Sequence, residues 1–202
     1  YDAWNKVLDD YEQGKVLPGD QKTILPRTPA VLLKVGASNR PIAIHGGIID
    51  KIVGKVLTKN GDRHEVPISE LRNLQIELDN PIAVFRSKTD SNSLVVLTRI
   101  VDKNNNEKAV VALKLDAKVG RNHIVNSIAS IHGRPTYQVN NWIGEGHLLY
   151  VNKEARKSTA RWLQLPGDKV LRASGVLTEK DFSDEELGRI IPKPAADSND
   201  IR

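Results

Sequence analysis

Apolar and polar positions alternate in four short runs through the middle of the chain, at residues 81–86, 94–102, 109–116 and 123–131. A period of two sends successive side chains to opposite faces of a strand, so each run predicts a half-buried β-strand. The connections are short, and residues 102–108, with three consecutive asparagines, predict a hairpin turn. In the fourth run, Val125, Ser127, Ala129 and Ile131 alternate with Asn126, Ile128, Ser130 and His132. Strict alternation puts Asn126, Ser130 and His132 on one face, with Arg134 just past the strand end. That face then carries amide, hydroxyl, imidazole and guanidinium groups, an inventory suited to a phosphate or another polar ligand.

Helical spacing dominates the ends. Trp4, Val7, Leu8 and Tyr11 predict a helix over residues 2–13, followed by Gly14. Residues 28–36 combine a Thr cap, a first-turn proline and a terminating glycine. Ile48, Ile49, Ile52, Val53 and Val56 form an apolar stripe over 46–57, and Leu71, Leu74 and Leu78 another over 67–78. Further helices are expected at 136–143 and, behind an Asn cap, 152–163, with an extra strand at 147–151. Ser183 and Glu186 have capping-box spacing, and a solvated tail is expected from Pro192. The order of helices, strand meander and further helices argues an α+β fold built on an antiparallel sheet.

Composition narrows this picture modestly. With 39% hydrophobic and 27% charged residues, the chain can bury a core and is not disordered as a whole. The net charge of +5 permits a nucleic-acid partner without requiring one. Cysteine is absent, which excludes disulfides and thiolate zinc sites. No apolar run approaches the roughly 20 residues of a membrane span, so no membrane partner is expected. A start at Tyr1 without methionine suggests a fragment of a longer protein. The five histidines show no metal-ligand spacing, and neither a metal nor another cofactor is expected.

Several segments occur in a recognisable order: Pro41-Ile-Ala-Ile44 with Lys51 in the following helix, His64 ahead of Leu71 and Leu74, and Asp79-Asn-Pro-Ile-Ala-Val-Phe-Arg-Ser87. Then follow Ser93-Leu-Val-Val-Leu-Thr98, Val110-Val-Ala-Leu113, Val125-Asn-Ser-Ile-Ala-Ser-Ile-His-Gly133, Trp142, Leu148-Leu-Tyr-Val-Asn-Lys153 and Trp162-Leu-Gln-Leu-Pro-Gly167. This set resembles the C-terminal toxin-like domain attached to phage MuF-type head proteins and phage polyvalent proteins. It covers residues 28–167, leaving 1–27 as a helical extension and 168–202 as a C-terminal extension. The resemblance implies the fold of the barnase, EndoU, colicin and RelE-type nucleases: N-terminal helices, then a four-stranded antiparallel sheet, with further helices after it. It also implies a metal-independent endoribonuclease toxin. Such a toxin would act on RNA, tRNA among the candidates, in the cytoplasm of a target or host cell. It would be part of a larger secreted or phage-associated protein, and an acidic immunity or inhibitor protein would hold it in check. In that family the histidine matching His64 directly follows a lysine; here Arg63 precedes it.

RNA cleavage without metal needs a base for the 2′-hydroxyl, an acid for the 5′-oxygen and donors for the charged phosphorane. His64 is the foremost acid–base candidate, against the alternative of an ordinary loop histidine. Lys51, Asn126 and Ser130 are expected to join it as catalytic groups. Their plainer alternatives are a snorkelling lysine and the wet face of a sheet. Arg134, His132 and Tyr150 are expected to bind substrate. His132 ranks below His64 because the Gly133-Arg134-Pro135 turn can swing it away. Trp142 is expected to pack in the core, and His45 to sit in a loop or cap the next helix. Two further readings stand beside the nuclease: a non-catalytic phage or effector module that binds protein or RNA, and another toxin chemistry such as nucleotide transfer. The latter lacks a glycine-rich nucleotide loop.

Overall fold

The computed structural model describes residues 2–158 and 163–188. Its N-terminal part runs α1 (Asp2–Glu12), β1 (Gln21–Leu25), α2 (Ala30–Lys34), β2 (Ile42–His45), α3 (Gly46–Ile52), α4 (Ile68–Leu71) and α5 (Leu74–Asp79). Then come β3 (Ala83–Arg86), β4 (Ser93–Asp102), β5 (Glu107–Lys118) and β6 (Ile124–Gly133). The chain continues through α6 (Thr136–Gly144), β7 (Leu148–Val151), α7 (Lys153–Ser158), α8 (Asp168–Ala173), β8 (Leu177–Thr178) and a 3-10 turn at Glu179–Asp181.

All eight strands form one sheet, in the order β1-β2-β6-β5-β4-β3-β7-β8. Strands β3 to β6 pair antiparallel, but β2 runs parallel to β6 and β7 parallel to β8. The expectation of a four-stranded antiparallel sheet behind N-terminal helices is therefore wrong. The sheet is eight-stranded and mixed, and helices lie before, between and after its strands. Alternation marks β4, β5 and β6, which carry wetter positions between buried ones, whereas β3 is buried at Ala83, Val84 and Phe85 and stands out as a short apolar run. β2 is buried along Ile42, Ala43 and Ile44, so it shows no alternation, and β8 is two residues long. Neither carries a period that sequence reading can detect.

The sheet buries both faces. Neighbouring residues of β3 divide between two cores: Val84 packs with the first, Ala83 and Phe85 with the second. The first core is roofed by α1, α2, α3, α4 and α5 through Trp4, Leu8, Leu32, Ile49, Leu71 and Leu74. The second is covered by Val139 and Ile143 of α6 and Leu171 of α8, over part of the sheet only. Helix α1 is fastened by the Trp4 indole, which donates to the Leu71 carbonyl at 2.8 Å, and by the Tyr11 hydroxyl, which donates to Asp50 at 2.6 Å.

Several predicted helices shorten or divide. The stripe at 46–57 is helical only to Ile52, because Gly54 adopts φ +85° and turns the chain away. The segment 67–78 is split into α4 and α5. Ser183 and Glu186 exchange the two hydrogen bonds of a capping box around a turn rather than a helix. The tail from Pro192 and the predicted helical residues 159–162 lie outside the described residues.

One irregularity in β6 governs the site. Ala112 pairs with Ser130, yet its neighbour Leu113 pairs with Ile128, so Ala129 is an extra residue on β6. This β-bulge reverses the phase of the strand. Ile128 and Ile131, three residues apart, both reach the first core. Asn126 and Ser130 therefore point to opposite faces, and the expectation that Asn126 shares a face with Ser130 and His132 fails at the bulge.

A histidine pair in a polar candidate site

Past the bulge, Ser130 and His132 stand on the second face, in a part that α6 leaves open. A groove of about 470 Å³ lies there, lined by Thr58, Arg63, His64, Ser130, His132 and Arg134 among others. It continues into a smaller chamber of about 210 Å³, whose lining shares Ser130, His132 and Arg134.

His64 reaches the groove on the loop that leaves α3. Gly54 makes this route possible: a Cβ on it would lie 2.3 Å from the His64 carbonyl oxygen. The His64 ring stacks on that of His132, with centroids 4.8 Å apart and planes 13° from parallel. The expectation that the Gly-Arg-Pro turn displaces His132 is not met, because β6 extends through Gly133 and keeps His132 within the ladder, opposite Val110.

A buried carboxylate holds the two histidine-bearing segments together. Asp102, 1% exposed, accepts the Glu65 N–H at 2.9 Å and the Asn104 N–H at 3.0 Å on Oδ1, and the Gly133 N–H at 3.0 Å on Oδ2. Asn104 donates to the Arg63 carbonyl at 2.9 Å, and Lys103 N–H to the Glu65 carbonyl at 2.8 Å. The β4–β5 turn thus sits between the His64 loop and the end of β6. Gly133 has no room for a side chain, since a Cβ would meet Asn105 Oδ1 at 2.4 Å and Asp102 Cβ at 2.9 Å. Sequence reading assigned Asp102 and the asparagines only to a turn. The sole hint of more was a glycine ending a strand between His132 and Arg134.

Electrostatics in the groove favour a neutral His132. Its pKa falls from 6.5 to about 4, first through burial, then through the nearby charges of Arg134 and His64; Asp102 opposes the shift. Its Nδ1 is buried without a hydrogen-bond partner among the described residues. The Arg134 Nε is in the same condition, while Nη1 donates to Gln138 at 3.3 Å. Burial also lowers the Arg134 pKa. The Ser130 hydroxyl, half-buried in the groove, is not engaged by any neighbouring group. His132 Nδ1 and Arg134 Nε are thus buried polar atoms without partners beside the groove, a costly arrangement in a folded protein.

Three anticipated site residues lie elsewhere. Asn126 is fully buried: its Oδ1 accepts the Asp116 N–H at 3.0 Å, and its Nδ2 donates to Thr28 Oγ1 at 2.9 Å and to the Ser38 carbonyl at 3.0 Å. It serves a second bulge, on β5, where Asp116 has φ +50°, and it ties that bulge to the loop after α2. Tyr150 is fully buried in the first core, edge-on to Phe182 at 5.5 Å, and has no face for a base. Lys51 is half-buried on α3, whose apolar residues join the first core, and it does not line the groove. His45 occupies the α3 N-cap position but makes no side-chain cap bond. Trp142 packs edge-on to Phe85 at 5.5 Å and also walls the inner chamber.

Among the described residues no three His, Asp or Glu side chains gather as metal ligands, and no helix is long and apolar enough to cross a membrane. No curated protein and no solved structure matches the chain. The phage MuF-C-terminal domain matches residues 55–158, more than half of the sequence, and that span carries every residue of the groove while leaving Lys51 outside. The chain belongs to the phage MuF-C-terminal domain family.

Proposed function

We propose that the groove cleaves RNA by attack of its own 2′-hydroxyl on the adjacent phosphorus. The observation that carries this reading is the His64–His132 stack beside Arg134 in an open polar groove. His132 is neutral at physiological pH, so it can take the 2′-hydroxyl proton as general base. The 2′-oxygen then bonds to phosphorus and the bond to the 5′-oxygen breaks. His64 gives the departing oxygen its proton. The Arg134 guanidinium and the Ser130 hydroxyl offset the charge that gathers on the phosphorane oxygens. The products are a 2′,3′-cyclic phosphate and a 5′-hydroxyl, and no step requires a metal ion. Asn126, Tyr150 and Lys51 receive no part in this chemistry. Membership of a phage domain family agrees with a nucleic-acid substrate, as does the excess of Arg63, Arg86, Lys88 and Arg134 over Asp62 in the lining, although Arg63 and Lys88 also pair with Glu65 and Glu145. The same lining suits an acidic inhibitor protein seated over the groove.

The test is incubation of purified protein with RNA in EDTA, with the new 3′ ends identified. Cyclic phosphate ends that disappear in His132→Ala support the proposal. Intact RNA with folded protein leaves a non-catalytic phage module that binds RNA or protein.

A further inference from the structure

We infer that the inner chamber is a nucleobase subsite selective for uracil, which presents two carbonyl oxygens and no exocyclic amino group, over the other three bases. The inference rests on the RNA reading of the groove but concerns recognition rather than cleavage. Ser130, His132 and Arg134 line both spaces, so a nucleotide whose phosphate meets the histidine pair has its base one step inward. There the floor is apolar: Val95, Val110 and Ala112 present side chains on the second face of the sheet. Trp142 supplies an aromatic wall, held edge-on by Phe85. An apolar floor with an aromatic wall suits a planar heterocycle, because every base has a π-face to set against it.

Selectivity follows from the hydrogen-bonding groups around that floor. Gln138 Oε1 is taken by Arg134 Nη1 at 3.3 Å, which leaves its amide N–H groups as donors. The half-buried Trp142 indole N–H has no acceptor among the described residues. At the rim Lys88 Nζ donates to Glu145 at 3.2 Å and Arg86 Nη1 to the Gly146 carbonyl at 3.1 Å, each keeping further N–H groups, and no carboxylate lines the chamber itself. Uracil offers two carbonyl oxygens to such a set, whereas adenine, cytosine and guanine each bring an exocyclic amino group that needs an acceptor. Of the hydroxyls, that of Ser87 already accepts from the Thr89 and Asp90 N–H groups at 3.3 and 3.2 Å, and that of Ser130 stands at the end shared with the groove, where the phosphate would lie.

The experiment is calorimetric titration of the full chain with 3′-UMP, 3′-GMP, 3′-AMP, 3′-CMP and inorganic phosphate, which needs no turnover. The expected result is that 3′-UMP binds about tenfold tighter than 3′-GMP, 3′-AMP and 3′-CMP, the size of one net hydrogen bond. Gln138→Leu should bring the four together. Ala112→Leu should weaken all four while leaving phosphate binding intact, with thermal melts confirming that both variants fold. Equal affinity for the four nucleotides, a preference for a base other than uracil, no nucleotide binding, or a preference unchanged by Gln138→Leu would overturn the subsite. Failure to cleave RNA alongside a retained uracil preference would remove the catalytic reading and leave this one standing. Cleavage without any base preference would do the reverse.

Discussion

His64 and His132 stack with ring centroids 4.8 Å apart because a single carboxylate fixes the backbone beside each of them. Asp102 takes the N–H of Glu65 with one oxygen and that of Gly133 with the other. The two histidines come from a loop and from a distant strand, yet their separation depends on one short side chain. This turns a polar surface into a defined site and makes Asp102 a positioning residue for the pair.

Asp102→Asn replaces one accepting oxygen by a donor, which then faces a backbone N–H whichever way the amide turns. Loss of a buried, charge-assisted bond and the donor left opposed should cost about 2–4 kcal/mol. The His64 and His132 ring resonances should also lose their mutual ring-current shifts. Denaturant unfolding with proton NMR of the imidazoles checks both, and an unchanged ring pair would show that other contacts position it.

The neutral His132 has a pH signature with a definite sign. Its pKa is about 4 in the folded chain against 6.5 ordinarily, so between those values the unfolded chain binds more protons. Its contribution to stability is complete above pH 6.5 and is lost as pH falls towards 4, on the order of 3 kcal/mol in total. His132→Gln should flatten that part of the stability curve, measured by denaturant unfolding at pH 7, 5 and 4. In NMR titration the His132 midpoint should rise in Arg134→Gln, because a neighbouring cation is removed. A midpoint of wild-type His132 near 6.5 would contradict the buried, neutral assignment.

Asn126 and Ser130 should separate stability from activity. Asn126→Ala leaves the Asp116 N–H and the Ser38 carbonyl without their partner, a loss of about 2–4 kcal/mol seen as a lower melting temperature. Ser130→Ala should leave stability within about 0.5 kcal/mol and reduce RNA cleavage. The reverse pattern would restore Asn126 as a groove residue and demote Ser130.

Gly54→Ala tests the route of the His64 loop. The substitution strains a φ of +85° and drives a Cβ into the His64 carbonyl oxygen. The loop must then move, so cleavage should fall further than the loss of stability, about 1–3 kcal/mol, would explain. Parallel melting and RNA-cleavage assays separate the two effects. Full activity in a stably folded variant would show that the loop tolerates another path.

Strands β4, β5 and β6 were legible because wetter positions interrupt their buried ones, β3 as a short apolar run buried on both faces, and the hairpin at the three asparagines from its turn residues. The wider sheet was not: β2 is buried without alternation, β8 is two residues long, and parallel pairing leaves no local pattern. At the site, the residue types were legible but their grouping was not. The bulge at Ala129 adds a residue without any unusual side chain to announce it, and it alone takes Asn126 away from Ser130. Tyr150 carried a plausible stacking ring, but its burial follows from β7 lying inside the sheet, which the chain order does not reveal. Asp102 looked like an ordinary turn residue because its partners are backbone groups brought together by the fold.

The most direct test is the chemistry of the cut ends. RNA treated with the purified chain in EDTA should acquire 2′,3′-cyclic phosphate and 5′-hydroxyl termini. His132→Ala and His64→Ala should each lower the rate about 10²–10⁴-fold while remaining folded. Uncut RNA with the wild-type protein folded, or cleavage that survives loss of both imidazoles, would contradict the assignment of catalysis to the histidine pair.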